Sequence, residues 1–184
     1  MMKKIIIGAD HAGFALKEAI KPYLIEAGWN VSDAGAYDSS PVDYPDFGCI
    51  VAEKVSSGEF EKGVLICGSG VGMTILANKF PGVRAVLCLD EEMARLSRLH
   101  NDTNILALAG RRTDEKRATT IISAWLKTAF EGGRHQRRID KIRQWEEALC
   151  RGVNDGLHRN RENYQSGTES SKMESRRTDC KCLF

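Results

Sequence analysis

No stretch of the 184-residue chain approaches the roughly 20 consecutive apolar residues that span a bilayer, so no membrane anchor is expected. Met1-Met2-Lys3-Lys4 leads into an apolar run too short for a secretory signal, and the expected address is the cytoplasm. The six cysteines form no CxxC pair and show no metal-ligand spacing. Cys180-Lys181-Cys182 is too tight for a structural disulfide, and Cys182 misses the prenylation pattern by one position. Neither a structural zinc nor a disulfide framework is expected. Excess charge is missing too. The net charge is +2, and residues 1–150 carry as many acidic as basic side chains, which leaves no electrostatic case for nucleic acid. No internal repeat appears. What the chain does have is the make-up of one globular domain, 42% hydrophobic and 28% charged.

Short β-branched or apolar runs recur along it: Lys4–Gly8, Val64–Cys67, Val83–Leu87 and Asn104–Leu108, with Trp29–Ser32 as a weaker fifth. Helical periods separate them. Phe47, Ile50, Val51 and Val55 share a stripe that Gly58 is placed to end. Ala118, Ile121, Ile122, Trp125, Leu126 and Ala129 make another, with Thr113 as its expected N-cap, and Met93 and Leu96 mark the inner face of the helix between them. Pro22 falls inside the first helical pattern and is expected to kink or shorten it. A last helix is expected from about Arg134 to Cys150, with Ile139, Ile142, Trp145 and Leu149 on one face. Strands alternating with helices predict an α/β fold: a single, doubly wound, mostly parallel five-stranded sheet, Rossmann-like, with helices on both faces. That domain covers 1–150. The aperiodic, polar segment 151–184 is expected to be a disordered tail.

In such sheets ligands bind beyond the carboxyl ends of the strands. Asp10-His11, Cys67–Gly72 and Arg111-Arg112 all follow strands there. The loop Cys67-Gly68-Ser69-Gly70-Val71-Gly72 presents backbone N–H groups where a helix begins, an arrangement suited to an anion. It lacks the Gly-Lys-Ser/Thr of a P-loop. Met73 stands where a dinucleotide fingerprint has its third glycine, and no acidic residue sits at a ribose-binding position roughly 20 residues on. On position alone Cys67 reads first as a buried strand-end residue and second as a thiol activated by that loop. Asp10-His11 reads as a turn and cap or as part of a site, and His100 as a capping histidine or, within His100-Asn101-Asp102-Thr103, as a functional one. Arg134, Arg137 and Arg138 crowd a helix start, where each cation costs about 0.3–1 kcal/mol, so either carboxylates lie nearby or an anion is held; Arg111-Arg112, with no matching acidic run, favours a phosphate.

Assembled in order, GADHAGFALK (8–17), DYPDF (43–47), ICGSGVGM (66–73), ANKFPGVRAV (77–86), SRLHNDTNILALAGR (97–111) and EGGRHQRRI (131–139) closely resemble the ribose-5-phosphate isomerase B family. That family includes the galactose-6-phosphate isomerase subunits. The resemblance covers almost all of 1–150 and stops before the tail. It implies aldose–ketose isomerisation of a phosphorylated sugar, ribose 5-phosphate to ribulose 5-phosphate, with no metal or organic cofactor. Cys67 matches the family's base, which carries a proton from C2 to C1 through an enediolate, and His100 matches the proton donor that opens the sugar ring. Asp10 and His11 match residues near the ring oxygen and the phosphate, and Asn101 a sugar or enediolate contact. Arg111, Arg134 and Arg138 match ligand-binding arginines, Gly68, Ser69, Gly70, Val71 and Gly72 offer amides to the developing oxyanion, and Tyr44 resembles a pocket-lining residue. The family's sites form between two subunits, so the resemblance also implies a homodimer or dimer of dimers. The alternatives are an isomerase of a six-carbon phosphate such as allose or galactose 6-phosphate, a non-catalytic sugar-phosphate binder, and, least favoured, a nucleotide-binding module.

Overall fold

The β-branched runs form the strands, and the periodic stretches between them form the helices that cover both faces. The structure, a computed structural model, describes residues 3–165. In chain order it comprises β1 (Lys3–Ala9), α1 (Phe14–Glu26), β2 (Trp29–Asp33), α2 (Tyr44–Ser56), β3 (Lys62–Cys67), α3 (Val71–Ala77), β4 (Ala85–Leu87), α4 (Glu91–Asn101), β5 (Ile105–Ala109), α5 (Glu115–Lys127) and α6 (Arg134–Gln165). The sheet runs β2-β1-β3-β5-β4, and every pairing is parallel, which sharpens the expected mostly parallel sheet. Parallel neighbours need crossover connections, and here helices supply them.

Side-chain alternation along the strands splits the core in two. Ile5, Ile7, Val64, Ile66, Leu106 and Leu108 face α1 and α5, where Ile20, Leu24, Ile121, Ile122 and Trp125 are fully buried. Ile6, Leu65, Cys67 and Ile105 face α2 and α3 through Val51, Ala52, Met73 and Ala77. Removing a large side chain from either layer costs about 2–5 kcal/mol. The first unit of the chain ends at Ile139 and contains this whole sandwich; α6 continues from Asp140 in the second.

Several local expectations need correction. α1 runs through Pro22 to Glu26 without shortening, and Pro22 is exposed, so the carbonyl it leaves unpaired can turn to water. Asp114, not Thr113, caps α5; its carboxylate accepts the Arg117 amide at 2.8 Å, whereas Thr113 is buried just before the cap. Ile50 and Met93 lie on exposed faces, and the buried face of α4 is Ala94, Ser97 and Arg98. α6 ends at Gln165 rather than near Cys150, with Glu147 and Arg151 paired one turn apart. Residues 166–184, Cys180 and Cys182 among them, lie outside the described residues. Ile142, Trp145 and Leu149, on the apolar face expected for this helix, are 49%, 70% and 65% exposed in this chain.

Composition gave no hint of a buried cation in the first helix. Lys17 is fully buried and bonds Asp33 at 2.6 and 2.8 Å and the Ala36 carbonyl at 2.7 Å. Burial pushes the Asp33 carboxyl up, but bonds from Lys17, Lys21 and the Gly35 amide outweigh it and hold the group below its ordinary range. The pair ties α1 to the segment leading out of β2. Cys88 is fully buried, and burial pushes its thiol up to about 12, which suits an inert core residue.

Candidate active site

The first connection, β1 to β2, runs to one side of β1, and the chain then crosses back to lay β3 on the other. That reversal opens a cleft of about 420 Å3 at the carboxyl ends of β1, β3 and β5, lined by Asp10, His11, Ala12, Tyr44, Cys67, Gly68, Ser69, Gly72, Arg111 and Arg112. Backbone bonds stitch its rim together. The Asp10 amide donates to Ile66, the Gly110 amide to Cys67 and the Arg111 amide to Gly68, at 3.0, 2.9 and 3.2 Å.

Cys67 ends β3 and is 4% exposed. The Gly70 amide donates to its Sγ at 3.2 Å, so a thiolate formed there meets a donor already in place. Gly70 has φ +75°, and a Cβ on it would come within 2.4 Å of Leu87 Cδ1, so only glycine fits this loop. Gly72 is needed for a different reason. A Cβ there would meet the Tyr44 ring at 2.7 Å, and its absence lets that ring form one wall of the cleft.

Asp10 closes the turn that its sequence allowed and lines the cleft, but the N-cap of α1 is Gly13 rather than Asp10. Its Oδ1 accepts the Gly13 amide at 2.9 Å, and the residue is 7% exposed. His11 Nδ1 lies 3.1 Å from the Val42 carbonyl and 3.3 Å from the Val42 amide, so the backbone of Val42 engages Nδ1 in either tautomer and leaves Nε2 for a ligand. Val42 and Ala12 escaped the sequence argument, because backbone partners and loop proximity leave no residue-type signal. Of the loop residues singled out, Gly70 and Val71 do not line the cleft. Gly70's amide is committed to sulfur, and Val71's lies 3.3 Å from Ser69 Oγ.

His100, Asn101, Arg134 and Arg138 gather elsewhere. α4 runs back against the strands, so His100 and Asn101 on its last turn arrive at the amino edge of the sheet, just before β5. There the His100 ring stacks on His135 with centroids 4.3 Å apart and planes 10° from parallel. Glu131 Oε2 lies 3.5 Å from His135 Nε2 and 4.0 Å from His100 Nε2. Arg134 opens α6, whose first turn holds no acidic residue, and its Nε donates to His135 Nε2 at 3.3 Å. Burial, then the charges of His100 and Arg134, hold the His135 ring below the usual histidine range. His135 stood inside a quoted motif without being singled out.

A thiol, two arginines and a histidine converge at the topological switch point of this all-parallel α/β sandwich, an arrangement suited to a small anion. The chain matches the profile of the family described as Ribose/Galactose Isomerase over residues 5–142, and it belongs to that family. It is 50% identical over 141 residues to ribose-5-phosphate isomerase B of Escherichia coli (strain K12), covering 77% of this chain and 95% of that protein. The structure of Clostridium thermocellum ribose-5-phosphate isomerase B is similar with a TM-score of 0.77 and 49% identity, over 79% of this chain and 99% of the other. Ribose-5-phosphate isomerase B from Mycoplasma genitalium with bound ribulose-5-phosphate matches with a TM-score of 0.77 and 44% identity, over 80% and 98%. No helix among the described residues is long and apolar enough to cross a membrane.

Proposed function

We propose that the protein interconverts ribose 5-phosphate and ribulose 5-phosphate, with Cys67 as the base. The observation that carries this is the Cys67 sulfur, set against the Gly70 amide in a cleft walled by His11, Arg111 and Arg112. The Cys67 thiolate takes the proton from C2 of the open-chain aldose, and the C2–H electrons form the enediolate double bond. The S–H proton then goes to C1, the hydroxyl proton passes from O2 to O1, and the carbonyl re-forms at C2. Of the Gly68–Gly72 loop, the amides of Gly68, Ser69 and Gly72 remain for the developing oxyanion, a contribution worth about 10²–10³ per donor in other enzymes. Arg111 and His11 bind the phosphate, Asp10 the sugar hydroxyls. The cytoplasm, a reducing compartment, keeps the sulfur available as a thiol.

His100 protonates the ring oxygen to open the furanose. It lies at the opposite edge of the sheet from Cys67, so a complete site takes His100, Asn101, Arg134 and Arg138 from a second copy, in a homodimer or a dimer of such dimers. A coupled assay on a panel of five- and six-carbon aldose phosphates tests the substrate, with ribose 5-phosphate expected to give the highest kcat/KM. A preference for a six-carbon phosphate overturns that assignment, and full activity in Cys67→Ala overturns the mechanism.

A further inference from the structure

The segment that joins β2 to α2 is fastened at both of its ends, and both fastenings come from residues 11–17, where α1 begins. We propose that Lys17 is a positioning residue for phosphate binding: it fixes one end of that segment so that Val42, at the other end, holds the His11 ring in its binding orientation. The inference rests on the assignment of His11 to the phosphate. Lys17 is fully buried, and its Nζ donates to Asp33 Oδ1, Asp33 Oδ2 and the Ala36 carbonyl at 2.6, 2.8 and 2.7 Å. The Phe14 and Tyr37 rings stand 5.6 and 5.4 Å from the ammonium. Backbone bonds continue the fastening. The Gly35 carbonyl accepts the Ala9 amide at 2.6 Å, and the Ala36 amide donates to the Ala9 carbonyl at 2.7 Å. Ala9 directly precedes the cleft residues Asp10 and His11.

Beyond Ala36 the chain turns outward, and residues 37–41 are exposed. Apart from the Tyr37 hydroxyl on the nearby Asp33 carbonyl, the one hydrogen-bond partner of residues 37–42 outside that stretch, among the described residues, is His11. Val42 presents both its carbonyl and its amide to His11 Nδ1. Where Val42 sits therefore depends on the direction in which the chain leaves Ala36. An ammonium held by three oxygens, one of them a backbone carbonyl, fixes that direction. Stability alone does not call for a charge here, because a buried ion pair is often matched by an apolar side chain of similar volume. What the apolar side chain lacks is a directed bond to the backbone at Ala36. Lys17 thus acts on the ligand through the segment and His11, without lining the cleft itself.

A double-mutant cycle on Lys17 and His11 separates positioning from a merely structural role. Lys17→Met keeps the length of the side chain and removes the ammonium, while Asp33 retains its bonds from Lys21 and the Gly35 amide and is not orphaned. It is expected to raise KM for ribose 5-phosphate, and the dissociation constant of inorganic phosphate read by phosphorus NMR, by about tenfold, within the range for residues coupled through a shared backbone shift. The kcat, and deuterium exchange at C1 of saturating ribulose 5-phosphate, should fall far less. Partial loss of folded protein does the reverse, lowering kcat and leaving KM where it was. In a His11→Ala background the same substitution should change either constant by less than about twofold, since the ring it positions is gone. Equal factors in the two backgrounds, or a lowered kcat with KM unmoved, overturn the proposal. If Lys17→Met does not fold, Asp33→Asn, which keeps the shape and removes the charge, runs the same cycle with a smaller factor and the same overturning results. Phosphate binding that follows the expected pattern in a protein without isomerase turnover removes the isomerase reading and leaves this one standing. Turnover of ribose 5-phosphate with an additive cycle does the opposite.

Discussion

The two edges of the sheet both carry arginines, and they use them in opposite ways. At the amino edge, Arg98 and Arg84 bond the two oxygens of Asp102 at 2.7 and 2.9 Å, Arg84 also donates to the carbonyls of Gly82, Asn101 and Asp102, and the Trp125 indole donates to Thr103 at 2.8 Å. The charge of Arg84 and Arg98 is matched by Asp102 within the chain. At the carboxyl edge, neither Arg111 nor Arg112 forms an ion pair with an acidic side chain among the described residues, although both line the cleft. A cation held near a cavity without a carboxylate partner is arranged for an anion that comes from outside. The difference lies in the company each arginine keeps rather than in how many there are.

The contrast predicts which substitutions damage chemistry and which damage the fold. Cys67→Ala should lower turnover by about 10³ or more, within the range for a general base, while the melting temperature falls only by the few degrees that about 1 kcal/mol brings. A coupled assay and calorimetry on the same preparation read both. At the other edge, Asp102→Ala should cost about 3 kcal/mol in urea unfolding, because it leaves the buried Arg98 without its carboxylate. Its effect on the deuterium exchange of ribulose 5-phosphate should be far smaller than that of Cys67→Ala. Arg111→Met should raise KM about thirtyfold through the loss of one charge-assisted contact worth about 2 kcal/mol, with no loss of stability since no acid is orphaned. A loss of stability comparable to that of Asp102→Ala would erase the distinction between the edges.

The smallest effect concerns Lys62, at the start of β3, which burial and then the Arg98 charge push down from 10.5 to about 8. A base with a lowered folded pKa binds fewer protons folded than unfolded, so its unfavourable contribution is full below about 8 and fades as pH rises toward 10.5. Lys62→Met should therefore raise the melting temperature at pH 7 by a few degrees and flatten its pH dependence across that window.

The strands were legible because branched apolar runs suit a buried parallel sheet, and the order of loops at the carboxyl edge followed from that alternation. Helix caps were legible only to within a residue: Thr113 and Asp114 are both good caps, and tertiary burial of Thr113 decided between them. The Lys17–Asp33 pair was invisible, since partners sixteen residues apart meet only once β2 is laid beside β1. The placement of His100 was harder still. Its motif resembled part of one site together with Cys67, yet α4 reverses the chain direction and delivers it to the other edge. A motif shows what a residue is suited to do, and the path of the backbone decides where it does so.

The Tyr44 ring takes its resting position from a methyl group that is missing at residue 72. Its contact is steric, so Gly72→Ala acts as a spacer that pushes the ring away from the loop without touching any charged or hydrogen-bonding group. That makes the mouth of the cleft adjustable separately from its acid–base chemistry. The width of the cleft can then vary with no change at Cys67 or the arginines, and a family described as Ribose/Galactose Isomerase is one in which such a spacer has value.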